Sequence, residues 1–177
     1  MKLTGQKITL EPFELKHLRI AWNWVKTPKV NQFLAVVPPK KWSEELKWFR
    51  KIKKDRNDKT FAIIDKETKK YIGNVSIMSI ERLHKKGTLG VMIGDSNFWG
   101  KGYGTDAITT LLAYAFKILK LNKVRLTVFP TNKRAIACYK KCGFKPVGLM
   151  RKDTFKAGKF LDHFLMEILA SDFNKSL

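Results

Sequence analysis

Apolar and polar residues alternate over Lys7 to Pro12, with Ile8 and Leu10 set between Lys7, Thr9 and Glu11, as in a half-buried strand. From Glu14 the period lengthens. Leu18, Ile20, Ala21, Trp24 and Val25 suit a helix that stops before Pro28. Val30 to Val37 is apolar without a clear period and closes at Pro38-Pro39, which predicts a loop or short helix beside a substrate opening. Trp42, Leu46, Phe49 and Ile52 recur at helical spacing, with Ser43 as the expected N-cap and Glu44 and Glu45 in the first turn. The pattern then changes to strands at Phe61 to Ile64, Tyr71 to Ile80 and Leu89 to Ile93. Between them lie turns at Asp65 to Lys70 and Glu81 to Lys86. Three strands in succession predict an antiparallel meander.

The third of these strands runs into Trp99-Gly100-Lys101-Gly102-Tyr103-Gly104-Thr105-Asp106, and an amphipathic helix follows from Ala107 to Leu119. Glycine at every second position permits a tight turn and close approach of backbone to a ligand. A strand entering such a turn and a helix leaving it aim free N–H groups and the positive end of the helix dipole at one point, an anion site suited to phosphate. The rest of the chain predicts a strand at Val124 to Phe129, a break at Pro130-Thr131-Asn132 and a helix from about Arg134 to Lys141 stopped by Gly143. Two last strands, Val147 to Phe155 and Phe160 to Leu169, are joined by a hairpin turn at Lys156-Ala157-Gly158-Lys159. No internal repeat or linker interrupts the chain. Residues 1–177 therefore read as one α+β domain with a mixed, largely antiparallel sheet flanked by helices.

Composition narrows the function classes. Hydrophobic residues at 44% and aromatics at 12% exclude a disordered chain. No run approaches the roughly 18 apolar residues of a membrane helix, and Met1 to Gln6 lacks the apolar core of a signal peptide. The expected location is the cytoplasm. Cys138 and Cys142, four apart on one predicted helix, lack the companion ligands of a metal site and read as two small buried hydrophobes, with no metal expected. A formal charge of +21, from 36 Lys plus Arg against 15 Asp plus Glu, attracts polyanions such as nucleic acid, ribosomes or a phosphorylated coenzyme. The lysines are spread along the whole chain, so a solvated basic surface explains them as readily.

Three readings compete for the glycine loop. A P-loop needs a hydroxyl residue after its lysine, whereas Lys101 is followed by Gly102. Gly102-x-Gly104-x-x-Ala107 fits the loose dinucleotide pattern, but no acid closes the next strand, which ends in Val128-Phe129. The third reading uses the surroundings as well. Trp99 to Ala107, followed some thirty residues later by Asn132 to Phe144 (Asn-x-x-Ala, then Tyr139, then Gly143-Phe144), resembles the GNAT acetyltransferase superfamily over Gly87 to Leu169. Trp99 at the head of the loop is similar to the branch that acetylates ribosomal-protein N-termini. That branch often carries Glu on the preceding strand, where this chain has Thr88.

The resemblance implies acetyl-CoA as cosubstrate and an amine as acceptor, and the family frequently forms dimers. It implies that the backbone of Val91, Met92 and Ile93 aligns the pantetheine arm, with the Met92 N–H as oxyanion donor. Trp99, Gly100, Lys101, Gly102, Tyr103, Gly104 and Thr105 hold the pyrophosphate. Lys101 and Lys141 either pair with phosphates or carry solvent charge, and Asn132 either caps the next helix or binds pantetheine. Tyr139 either packs on its helix face or protonates the departing thiolate. For the base the chain offers Glu81, or Asp162-His163 on the last strand, while His17 and His84 read as surface residues.

At pH 7 about one α-amine in seven is neutral, against about one lysine in 2500, a gap of about 3.5 kcal/mol. A site without an obvious base therefore leans to a protein N-terminal α-amine. The alternatives are a small amine such as a polyamine or aminoglycoside, and a basic ribosome- or RNA-associated protein that keeps the coenzyme without turnover.

Overall fold

The computed structural model describes residues 1–35 and 41–174; the Val36 to Pro39 part of the expected opening loop lies outside them. Eight strands form one sheet in the order β1-β2-β3-β4-β5-β6-β8-β7. They are β1 (Leu3–Thr4), β2 (Ile8–Pro12), β3 (Lys59–Asp65), β4 (Tyr71–Glu81), β5 (Lys86–Ile93), β6 (Lys123–Val128), β7 (Lys145–Lys156) and β8 (Lys159–Leu169). β2 to β5 form the expected antiparallel meander. Among the described strands only the neighbours β5 and β6 are parallel, because α4 (Tyr103–Lys117) crosses between them.

α4 and α5 (Lys133–Lys141) cover one face of the sheet. Ile108, Leu111, Leu112 and Ala115 of α4 meet Ile63, Ile72, Val75 and Ile77 of β3 and β4 there, all fully buried. α1 (Leu15–Lys26) and α3 (Trp42–Lys54) cover the other face, where Phe13, Leu18 and Ala21 meet Ala62, Met92 and the Trp42, Leu46, Phe49 and Ile52 stripe. Short helices α2 (Pro28–Asn31) and α6 (Ala170–Asn174) follow α1 and β8.

Several boundaries differ from the sequence pattern. α3 begins at Trp42, so its N-cap is Lys41, whose N–H donates to Glu44 at 3.4 Å; Ser43 is already inside the helix. α4 begins four residues earlier than its apolar stripe, at Tyr103, because Gly102 supplies a left-handed N-cap (φ 86°). His17 is buried: burial lowers its pKa, its Nδ1 accepts from the Glu14 N–H at 3.0 Å, and its ring packs between Phe13 and Tyr71. A capping box thus explains a histidine that the sequence pattern puts on the surface. The β7–β8 hairpin turns as expected, with Ala157 and Gly158 both at positive φ.

Candidate active site

The sheet forks at its centre. β5 and β6 pair only at Lys86↔Lys123, Gly87↔Val124 and Thr88↔Arg125. Beyond this point Gly90 to Ile93 keep their partners in β4, and Leu126 to Val128 keep theirs in β8. Between the two strands a wedge opens, faced on the β5 side by the backbone groups of Val91 and Ile93, whereas Met92, in step with Gly94 whose N–H donates to Ile72 O at 2.9 Å, turns its own to Asn74 of β4. Arg125 Nε donates to Thr88 Oγ1 at 3.4 Å across the fork. An extended chain that brings its own donors and acceptors can pair with such an edge as an added strand would.

At the wide end of the wedge lies the glycine loop. Gly100 and Gly102 have φ of 74° and 86°, a region that a side chain disfavours, and they turn the chain so that α4 points its N-terminus back at β5. The N–H groups of Lys101 to Thr105 meet no acceptor among the described residues; the first satisfied one is Asp106 N–H, bonded to Gly102 O at 3.0 Å. Gly104 differs from the other two glycines: it lies in the first turn of α4, where a Cβ would make ordinary contacts with Cys138 Sγ at 3.6 Å and Ile93 Cγ1 at 3.9 Å.

Side chains brace this loop. Trp99 Nε1 donates to Ile93 O at 2.7 Å, and its ring carries Arg134 at 3.9 Å and Lys29 at 5.2 Å from the centroid. Lys7 Nζ donates to Lys101 O at 3.0 Å. The Asp106 carboxylate accepts from the N–H groups of Gln6, Lys7 and Ile8 at 3.0, 2.7 and 3.1 Å, pinning the β1–β2 turn to α4. Tyr103 packs edge-on against Phe98. The Lys7 and Asp106 anchors join residues 94 to 100 positions apart, and no local sequence signal marks them.

Asn132 caps α5, its Oδ1 accepting from the Ala135 N–H at 3.2 Å, which leaves its Nδ2 to donate elsewhere. Tyr139 lies in the main core against Phe144, with ring centroids 6.0 Å apart. Burial, together with the neighbouring Cys138 and Cys142, raises the pKa of its phenol. Cys138 Sγ lies 3.3 Å from Thr105 Oγ1, Cys142 Sγ donates to Thr105 O at 3.8 Å, and the neighbouring Cys142 thiol lowers the pKa of Cys138. The pair is therefore more polar than two packed hydrophobes, although Cys142 is buried. Lys101 and Lys141 are exposed. Among the described residues no group of three or more His, Cys, Asp or Glu could hold a metal ion.

A domain model described as "Acetyltransferase (GNAT) domain" matches residues 7–145. The chain belongs to this acetyltransferase family. It is an acetyl-CoA-dependent N-acetyltransferase that passes an acetyl group to an amine. The N-acetyltransferase p20 of Bacillus licheniformis is 25% identical over 174 residues, covering 97% of both chains. The spermidine N(1)-acetyltransferase of Vibrio cholerae is 28% identical over 169 residues, covering 96% of both. The crystal structure of spermidine N-acetyltransferase from Vibrio cholerae in complex with CoA and spermine superimposes with a TM-score of 0.88 at 27% identity, over 96% of this chain and 99% of that one. These relatives include spermidine acetyltransferases rather than the ribosomal-protein branch that Trp99 resembles.

The GNAT frame also sorts the candidate bases. Glu81 stands apart from the wedge. It pairs with Lys86 at 3.1 Å, at the end of β5 away from the loop, seven residues or about 23 Å of strand from Ile93. Asp162 and His163 do not act as a pair, because neighbours on a strand face opposite sides. Asp162 accepts from the Lys152 N–H at 2.7 Å, while His163 Nδ1 meets Asp153 Oδ2 of β7 at 2.9 Å. His84 is exposed in the β4–β5 turn. Among the described residues no helix is long and apolar enough to cross a membrane.

Proposed function

We propose that this chain acetylates a small aliphatic polyamine of the spermidine class. The observation that carries the reading is the near full-length likeness to a spermidine acetyltransferase, at 28% identity in sequence and with a TM-score of 0.88 in structure. Bound acetyl-CoA supplies an activated acyl group as a thioester. The β5 edge would align its pantetheine arm through the backbone groups of Val91 and Ile93, which face the wedge; the Met92 N–H, expected as oxyanion donor, is turned to Asn74 of β4 and is not free for that role. The free amides of Lys101, Gly102, Tyr103, Gly104 and Thr105 suit the pyrophosphate. Trp99 and Gly100 set the shape of that turn, and the free Nδ2 of Asn132 adds a donor at its side. The raised pKa of Tyr139 keeps its phenol protonated near neutrality, as a proton donor to the leaving thiolate must be.

Polyamines arrive as cations, and a protein of charge +21 repels them at long range. Turnover should therefore rise with added salt, which screens that repulsion. Thiol release from acetyl-CoA, measured separately with spermidine, an aminoglycoside and peptides beginning in Ala or Ser, tests the reading. Spermidine should be turned over fastest; release with the peptides alone would overturn it.

A further inference from the structure

An amine acetylated as its cation must first lose a proton, and the wedge offers no obvious carboxylate for this. The strand position where many relatives of the ribosomal branch carry Glu is Thr88, whose hydroxyl already accepts from Arg125. Glu81 lies at the far end of β5.

The face of the sheet away from α4 offers a different group. Val124, Leu126 and Val128 of β6 face the α4 core, and so do Met166 and Ile168 of β8. Phe129 follows on from β6 at the mouth of the wedge, and His163 lies just beyond the Val128↔Phe164 pair. The His163 ring stacks on Phe129 at 4.4 Å between centroids and is only 3% exposed. Asp153 Oδ2 takes Nδ1 at 2.9 Å, with Thr154 Oγ1 at 3.5 Å. With Asp153 ionised the Nδ1 carries the proton, which leaves Nε2 as an acceptor in a fixed orientation. That nitrogen meets no partner among the described residues, and the Phe129 ring stacked on the imidazole directly follows β6 at the open end of the wedge.

The surroundings of this ring pair are tied in place. Lys156 Nζ donates to the carbonyls of Asn31 at 2.6 Å and Leu34 at 2.5 Å, fastening the end of α2 to the β7–β8 hairpin, and it stands 5.9 Å from the centre of the Phe129 ring. The charged groups around His163 are thus Asp153 from β7 and Lys156 from the hairpin. Burial lowers the pKa of Lys156.

We infer that His163, oriented by Asp153, is the proton acceptor for the incoming amine. The assignment rests on the amine-acetylation reading and adds the base. The ammonium gives one proton to His163 Nε2, which passes it to solvent. The neutral amine then forms the C–N bond as the C–S bond breaks. The second N–H proton leaves with the thiolate, delivered through Tyr139, so that ammonium and thioester give amide, thiol and one released proton.

The test is kcat/KM for spermidine against pH at saturating acetyl-CoA. Wild type should show a one-proton acid limb. His163→Gln should lose about 100-fold near neutrality and lose that limb, rising with pH as the amine itself deprotonates. Added imidazole should restore part of the rate, and Asp153→Asn should give an intermediate loss. Coenzyme A should stabilise all three proteins equally. The wild-type imidazole signal of His163, followed by NMR while spermidine is added to the coenzyme A complex, should also shift, and this arm needs no variant to fold. An unchanged pH profile in His163→Gln, or an imidazole signal indifferent to saturating amine, overturns the assignment. If only peptides are acetylated, the polyamine reading fails by itself, and the same profile with the peptide decides the role of His163.

Discussion

The two ends of the forked sheet are built by different means. The coenzyme end is made of backbone: an unpaired β5 edge, a turn set by two glycines at positive φ, and the free amides that open α4. The amine end is made of side chains from distant elements, with His163 on β8, Phe129 just past the end of β6, Asp153 on β7, and Lys156 reaching across to Asn31 at the end of α2. A backbone site tolerates any residue that keeps its φ, so it survives wide divergence. A side-chain site can change its acceptor with a few substitutions. The comparison predicts that variants at the first end alter coenzyme binding, and variants at the second alter turnover and acceptor choice.

The sharpest way to break that division is at Gly102. Gly102→Val forces a β-branched residue to φ 86° at the N-cap of α4, a strain of about 1–3 kcal/mol, and it redirects the amides behind it. Coenzyme A affinity measured by calorimetry should fall by about 10- to 100-fold at that cost, with the α4 core left folded. Affinity within twofold of wild type would show that the turn does not set the site.

Tyr139→Phe sharpens the same contrast from the catalytic side. It should lower kcat by about 10- to 100-fold and leave coenzyme A affinity unchanged. Unchanged turnover would leave Tyr139 as a core aromatic packed on Phe144.

Arg134→Ala removes the cation held 3.9 Å from the Trp99 ring. Its expected cost is about 0.5–1 kcal/mol, or a two- to fivefold weaker coenzyme A affinity. Glu81→Gln, which breaks only a half-exposed pair with Lys86, should leave kcat within about twofold. A large loss there would return Glu81 to the chemistry.

How far each end was legible follows from the same difference. Glycine spacing at 100, 102 and 104 and the Asn132 to Phe144 motif are local strings, so the coenzyme end could be read directly. Even so, the start of α4 at Tyr103 was hidden, because the first turn of a helix bears ligand-facing residues rather than an apolar stripe. The meander and the hairpin followed from alternation and from Ala157-Gly158. The fork in the sheet did not, since strand pairing leaves no mark on hydrophobic period.

At the amine end the string Asp162-His163 suggested a neighbouring pair, whereas strand alternation sends the two side chains to opposite faces and hands His163 to Asp153, ten residues back. Burial of His17 was likewise invisible, because its cap is a bond to the Glu14 backbone. The lean to an α-amine has a related origin: it follows from the absence of a visible base, and a histidine oriented by a partner ten residues away leaves no local string to read.

The acceptor remains the sharpest point of contact with experiment. A single reaction holding acetyl-CoA, spermidine and an equal concentration of a peptide with a free N-terminal alanine, followed by mass spectrometry, pits the two amines against each other. Early acetylation of spermidine, with the peptide unmodified, is the expected result. Acetylated peptide beside untouched spermidine would contradict it.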